Sequence, residues 1–471
     1  MKVLLLVPPG LERLEICQSI GVRAPPLGLA YIASVLEHNG YKVRIVDSPT
    51  LNLDLKGVIL EVKMFKPDIV GLTALTPTIY NAYEIAKYVK AIDRWIPVVI
   101  GGPHATFMYE EVLNESIDVD AVVVGEGEYT FLELLNVIEK YGLNSNLLKS
   151  VRGIAFRDNG KIYFTGYRRL IANLDSLPSP ARHLLPMSSY TVFDKPIRVV
   201  HVIASRGCPY GCTYCSTSYF MGRLYRIRSV GSVLDEVEDI VYRYKARNIV
   251  FVDDELTIIR RWIMEFLNGL KERGLDISFV CGSRVDHVDR ELINRLYSQG
   301  CSIIYFGVES ANQKTLNKIG KKITIQQIVN AFKLVREVKG EAAGSFILGL
   351  PWETIDDMKR TIAFALKLNP SYAQFTAATP YPGTPLYETA LKDGLIEDRD
   401  WSHYTTLIPV MKGYSFTREQ VSKLLVQAYI LFYFRPTHLL KEVRNRRFKL
   451  ATEMVSRILK PRHLQIIETI I

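Results

Sequence analysis

The sequence predicts an α/β protein made of two successive strand-and-helix units and a helical end. A doubly wound, Rossmann-like parallel sheet is expected over residues 1–145 and a hairpin and linker over 146–194. A partial (β/α)6 barrel of the TIM type follows over 195–390, and a basic helical domain over 391–471. Three observations carry this reading. Short apolar runs alternate with amphipathic helical stretches twice along the chain, a turn-rich stretch separates the two series, and the alternation stops after Pro380.

In the first unit, residues 2–7, 42–46, 68–72, 98–100 and 121–124 read as strands. Strands spaced by helices pair in parallel, and such sheets bind ligands beyond the carboxyl ends of the strands, where small residues let backbone approach. The loops there are Pro8-Pro9-Gly10, residues 73–78 with Thr73 and Thr76, Gly101-Gly102-Pro103-His104 and Gly125-Glu126-Gly127-Glu128. Glycine and proline also serve simply to end strands. Asp158-Asn159-Gly160 between two apolar runs marks a hairpin turn, and Leu177-Pro178-Ser179-Pro180 marks a linker.

The second series places strands near 199–204, 248–252, 277–281, 302–306, 344–348 and 373–377. Six such units are too few for a closed eight-unit barrel and suit an open one. Beyond them, residues 424–434 are apolar except for Gln427, which fits either a core helix or a helix at a membrane interface.

With 471 residues, 48% of them hydrophobic, the chain can bury two or three cores. Six unevenly spaced cysteines do not make a secreted disulfide framework, and no charged-then-apolar leader opens the sequence, so a reducing cytoplasm is expected. Uninterrupted apolar runs of about 18 residues are missing, so no bilayer span is expected. The formal net charge of +10 is concentrated late: residues 435–462 carry nine Lys or Arg against Glu442 and Glu453. Such a stretch suits an anionic partner, either nucleic acid or phospholipid headgroups, or is a solvated helix face.

The most specific feature is Arg206-Gly207-Cys208-Pro209-Tyr210-Gly211-Cys212-Thr213-Tyr214-Cys215, three thiols in eight residues directly after a strand. Iron–sulfur clusters are held by thiolates, whereas zinc sites usually pair two Cys or Cys/His units, and no second pair lies nearby. Three ligands on a four-iron cluster leave one iron open for catalysis. Cys17, Cys281 and Cys301 are isolated and read as ordinary thiols.

The CxxxCxxC spacing with an aromatic before the last cysteine resembles the radical SAM superfamily. That resemblance implies a 4Fe-4S cluster on Cys208, Cys212 and Cys215. The cluster would cleave S-adenosylmethionine to a 5′-deoxyadenosyl radical, which abstracts hydrogen from unactivated carbon. It also implies S-adenosylmethionine contacts from Tyr214, from Asp253 and Asp254 in Phe251-Val252-Asp253-Asp254-Glu255, and from Glu309 and Ser310 in Gly307-Val308-Glu309-Ser310. Gly349, Leu350 and Pro351 fall in Gly349-Leu350-Pro351-Trp352-Glu353-Thr354, where Trp352 replaces the family's usual glycine, and Tyr381 opens Tyr381-Pro382-Gly383-Thr384-Pro385.

The first unit is similar to that of the cobalamin-binding class of the superfamily, through Arg23-Ala24-Pro25-Pro26-Leu27-Gly28-Leu29, Asp47 and the two glycine loops. This implies cobalamin held by Pro9, Thr73, Thr76, Gly101, Gly102, His104, Gly125, Glu126 and Glu128. No histidine has an Asp two residues before it, so the DxHxxG cobalt-ligand motif is missing and no histidine on cobalt is expected. His104 is expected to contact the nucleotide tail or cap a helix. Glu126 and Glu128 either receive cobalamin groups or favour a helix N-terminus.

The reaction implied is C–C bond formation, by ring closure, cross-linking or methylation. A lipid or isoprenoid substrate is expected from the basic stretch beside an apolar run, with the archaeal tetraether-lipid ring and calditol enzymes as the branch in view. Methylation of a small-molecule natural product and a non-enzymatic cobalamin sensor or carrier are the alternatives. Implied partners are a lipid or small-molecule substrate, a low-potential donor such as ferredoxin or flavodoxin, and peripheral contact with a membrane surface. Nucleic acid is disfavoured because the extra cysteines of the methylthiotransferase branch are missing.

Overall fold

The computed structural model describes residues 1–11, 23–190 and 199–436. Cys17 and the basic stretch beyond Pro436 lie outside the described residues, as does the membrane contact inferred from that stretch.

Seven strands form the first sheet: β1 (Lys2–Val7), β2 (Lys42–Asp47), β3 (Ile69–Thr73), β4 (Val98–Gly101), β5 (Ala121–Val123), β6 (Ile154–Asp158) and β7 (Lys161–Phe164). Their order is β2-β1-β3-β4-β5-β6-β7, parallel through β5 and antiparallel for β6 and β7. β1 is apolar on both faces because both are buried, the usual composition of an inner parallel strand. The Asp158-Asn159-Gly160 turn joins β6 to β7, with Asn159 at φ 50° and Gly160 at φ 76°, so the hairpin extends the first sheet. Helices α1 (Leu27–His38) and α2 (Gly127–Tyr141) pack side by side on one face.

The second sheet has six parallel strands in sequence order: β8 (Val199–Val202), β11 (Asn248–Phe251), β12 (Ser278–Ser283), β13 (Cys301–Glu309), β14 (Glu341–Leu348) and β15 (Tyr372–Ala377). The short antiparallel ribbon of β9 (Ser205–Arg206) and β10 (Arg226–Ile227) brackets the cysteine loop. The predicted open six-unit barrel is what forms.

Among the helices around the second sheet are α3 (Val230–Arg243) and α4 (Arg418–Tyr433), and the run at 424–434 belongs to α4, a core helix. α4 buries Leu424, Leu425, Ala428 and Phe432. It also closes the free edge of β15. The Tyr429 hydroxyl accepts from Phe375 N at 3.2 Å and donates to Phe375 O at 3.0 Å, and Tyr433 does the same for Ala373 at 3.1 and 2.9 Å. Exposed strand edges invite unwanted pairing, and two hydroxyls here satisfy one. Among the described residues no helix is long and apolar enough to cross a membrane.

A buried ionic cluster ties the linker to the barrel. Glu236 on α3 accepts from both Arg182 and Arg228, and all three are nearly solvent-free. Arg182 also donates to His201 O at 2.8 Å, and Arg228 to Ile203 O at 3.0 Å. Removing one partner of a buried pair leaves uncompensated charge, so Glu236→Ala is expected to cost about 3–5 kcal/mol. Chemical denaturation would measure it, and a loss within the range of ordinary surface substitutions would refute the ionic account.

Candidate functional site

Two cavities flank the cysteine loop. One, of about 290 Å³, opens at the carboxyl ends of the barrel strands and is lined by Cys208, Cys212 and Cys215 together with Tyr214, Asp253, Asp254 and Glu309. The loop is tight: Thr213 N donates to Ile319 O at 2.9 Å, and Leu386 N donates to Thr213 O at 3.0 Å. None of the three thiols is in a disulfide. Among the described residues no three His, Cys, Asp or Glu groups close on a single metal ion. Three thiols around a cavity of that size fit a cluster better than one ion. Burial pushes the Cys208 thiol up to about 11 and raises Cys212 and Cys215 as well, so the free thiols hold their protons at neutral pH. Metal loading must release them.

Polar groups converge on the same cavity. Asp253 accepts from Ala204 N at 3.2 Å and from the Ser205 hydroxyl, and burial pushes its carboxyl up to about 6. Glu309 sits where the β13–β14 register shifts, at φ 65°, in the left-handed region that non-glycine residues avoid. Bulges re-aim side chains, and this one turns the Glu309 carboxylate to Lys321 Nζ at 2.7 Å and the Ser345 hydroxyl at 3.2 Å. A Cβ on Gly307 would fall 2.5 Å from both Glu309 Oε1 and Lys321 Nζ, so glycine there leaves room for the ion pair. Glu309 holds the Lys321 ammonium above its usual range despite burial.

The remaining barrel residues predicted for this site lie outside the cavity lining. The Ser310 hydroxyl donates to Glu353 at 3.3 Å, and Tyr381 donates to Tyr404 O at 2.9 Å. Gly349, at φ +87°, begins the turn through Leu350 and Pro351, where a Cβ would press on Val421 of α4 at 3.0 Å. Glu353 fixes that turn by accepting from Gly349 N at 3.2 Å and Leu350 N at 3.1 Å. Trp352 is half-buried beneath Lys318, whose Nζ lies 4.4 Å from the ring centroid.

Burial raises the Glu353 carboxyl from 4.5 to about 7. A folded-state pKa above the unfolded value means that its stabilising contribution is full below about pH 4.5 and is lost as pH rises to about 7. Glu353→Gln should therefore flatten the fall in unfolding free energy across that window. Denaturation midpoints measured at several pH values would show parallel curves if the assignment were wrong.

The other cavity, of about 220 Å³, enters the first sheet. Thr73, Gly101, Gly102, Gly125, Glu126 and Glu128 line it, as do Gly28, Tyr31, Gly71, Gly127 and the apolar Leu5, Val99, Val123 and Phe131. Six glycines keep bulky side chains out of much of this wall. Pro9, Thr76 and His104 are not among the lining residues. Pro9 O accepts from Asn81 at 2.7 Å. The His104 ring lies 3.3 Å from the Thr76 hydroxyl and edge-on to Trp401, with centroids 5.1 Å apart. Burial drives its imidazole down to about 3, so it is neutral. Trp401 comes from the segment after the barrel, some 300 positions away, and nothing near His104 in sequence announces it.

Glu126 and Glu128 are ion-paired. Arg206 donates to Glu126 at 2.9 Å and to Glu128 at 2.6 Å, and Arg226 donates to Glu126 at 2.8 and 3.0 Å. Sequence reasoning left out Arg206, Phe220 and Met221 on this wall, and Arg284, Tyr305, Lys321 and Ser345 in the barrel cavity. Their positions relative to the motifs could have flagged only Arg206, which directly precedes the cysteine loop.

Comparison with known proteins agrees with both halves. A B12-binding domain model matches residues 15–135, and a radical SAM superfamily model matches 202–365. An uncharacterized methyltransferase of Pyrococcus horikoshii is 42% identical over 443 residues, covering 94% of this chain and 95% of that one. The anaerobic magnesium-protoporphyrin IX monomethyl ester cyclase of Rubrivivax gelatinosus is 32% identical over 419 residues, covering 88% and 75%. Among solved structures, the cobalamin-dependent S-adenosylmethionine radical enzyme OxsB superposes with a TM-score of 0.74 at 19% identity, covering 96% of this chain and 71% of that one.

Proposed function

We propose, from the premise that this chain belongs to the radical SAM superfamily in the class that carries a B12-binding domain, that it methylates an unactivated carbon of a lipid or isoprenoid substrate. It is an enzyme whose cofactors are a 4Fe-4S cluster, S-adenosylmethionine and cobalamin. One observation carries the reading: the loop with the three thiols lines the barrel cavity, and its flanking residues Arg206, Phe220 and Met221 line the other. The two cofactor sites therefore share a wall.

In this reading Cys208, Cys212 and Cys215 hold the cluster, and the glycine-walled slot takes the nucleotide tail of cobalamin. Together the bound groups supply a carbon-centred radical and a methyl donor. The chain's own part is to bind and exclude water. Asp253, Asp254 and Glu309 present oxygens to the methionine and ribose ends of S-adenosylmethionine, with Lys321 holding Glu309 in place. Ser310, Glu353 and the turn at Gly349, Leu350 and Pro351 support that wall from behind, and Tyr381 holds the segment after β15. Thr73, Gly101, Gly102 and Gly125 border the corrin, with Pro9, Thr76 and His104 bracing their loops. Residues 1–145 and 195–390 act as the two cofactor domains, and a ferredoxin or flavodoxin supplies electrons.

The 42% identity to a protein described as a methyltransferase supports methylation. Ring closure is the second reading, favoured by the 32% identity to a cyclase. The lipid assignment rests on the charge of residues 435–462, because the apolar run beside it is core. Lipid extracts from a host expressing the protein, set against its Cys212→Ala variant, should contain a product one methyl heavier. Methylation should also release 5′-deoxyadenosine and S-adenosylhomocysteine in equal amounts. Product lacking two hydrogens, with no S-adenosylhomocysteine, would replace methylation by ring closure, and an unchanged lipid profile would end the lipid assignment.

A further inference from the structure

The cysteine loop is anchored at both ends in the wall of the first-sheet cavity. Arg206 directly precedes Gly207 and Cys208, while Phe220 and Met221 follow Cys215 on the short helix Thr217–Phe220 and just after it. All three line that cavity. The Arg206 guanidinium lies 5.4 Å from the Tyr31 ring and bonds the two rim acids, Glu126 and Glu128. Its ladder partner Arg226 bonds Glu126 as well and donates to Met221 O at 2.8 Å, so one set of charges grips both ends of the loop.

The backbone beside the Arg206 anchor is closely packed. Cys208 N donates to Gly222 O at 3.2 Å. A Cβ on Gly207, at φ +88°, would meet Leu224 O and lie 2.8 Å from Gly222 O. Arg206 and Cys208 are therefore joined through a closely packed glycine.

We propose that Arg206 is a positioning residue through which occupancy of the first-sheet cavity sets the cluster loop, so that the cluster registers whether cobalamin is bound. The proposal rests on the cofactor reading given above. The Arg206–Glu126–Glu128 pairs are already nearly solvent-free, so a corrin seated against this wall would act by packing on the side chains at both ends of the loop, Arg206 at one end and Phe220 and Met221 at the other. The magnetic and redox properties of an iron–sulfur cluster follow its solvent exposure and the hydrogen bonds around its sulfurs. They should change when the corrin binds.

The test uses the full chain, anaerobically reconstituted, with electron paramagnetic resonance of the reduced cluster recorded before and after hydroxocobalamin is added. Wild type is expected to show a cobalamin-dependent shift in g-values. Arg206→Met, compared at hydroxocobalamin concentrations that saturate each chain, should lose the shift, while Arg206→Lys should regain part of it. If Arg206→Met fails to fold or to retain cobalamin, Glu128→Gln takes its place. That variant removes one negative charge and leaves the Glu126 pair, and it should show a smaller shift than wild type. Bound cobalamin with an unchanged wild-type spectrum, or a variant responding as wild type does, overturns the coupling alone. A wild-type chain that retains no cobalamin overturns the reading of the cavity, and the coupling with it.

Discussion

Cys212→Ala is expected to abolish 5′-deoxyadenosine formation and to strip the chain of its iron, while Cys281→Ala leaves both intact. Cys212 is nearly buried at the floor of the barrel cavity, 7% exposed, with its thiol beside Gly320 O and Lys321. A three-thiolate site has no spare ligand, so removing one leaves two donors and an extra open coordination position. Cys281 lies in the barrel core on β12, next to Cys301 on β13, and lines neither cavity. Truncating it removes one small buried group, a loss of about 1 kcal/mol. Iron content, the visible absorbance of the cluster and 5′-deoxyadenosine after reduction are the readouts. Turnover persisting in Cys212→Ala would end the assignment of the loop. Because the free thiols are held protonated, cluster loading in the wild type should also improve as pH rises.

The elements legible in the sequence were those governed by local periodicity. All eleven expected parallel strands form within a few residues of where the apolar runs place them, because inner strands buried on both faces cannot hide their composition. The cysteine loop was legible for the same reason, since its three thiols are neighbours in the chain. What stayed hidden depends on partners brought from far away. Glu126 and Glu128 left two readings open because Arg206, some 80 positions on, carries no mark of its destination. Lys321 sits beyond a helix from Glu309, and only the bulge in β13 brings the two together. The run at 424–434 was ambiguous between membrane and core for a similar reason. The hydroxyls that bind it to the edge of β15 belong to tyrosines, which either environment accepts.

Gly71→Leu should empty the first-sheet site while leaving the cluster in place. Gly71 lies in the middle of β3 with an ordinary extended backbone, so a side chain there meets packing and not backbone strain. An added Cβ would fall 2.9 Å from Leu5 Cδ2 and 3.2 Å from Phe131 Cζ, and the rest of the leucine has only the cavity to enter. Overpacking of this kind costs about 1–3 kcal/mol of stability. Filling the slot that would take the nucleotide tail should weaken cobalamin binding at least about a hundredfold, which corresponds to roughly 3 kcal/mol. Gly71→Ala sets a graded control, since its single carbon demands only a small adjustment of Leu5. Cobalamin retained after gel filtration, measured by absorbance beside iron content, separates the outcomes. A Gly71→Leu chain that keeps wild-type cobalamin would place the tail elsewhere. A chain that loses cobalamin yet still forms 5′-deoxyadenosine would show that radical generation at the barrel stands apart from what the first sheet contributes.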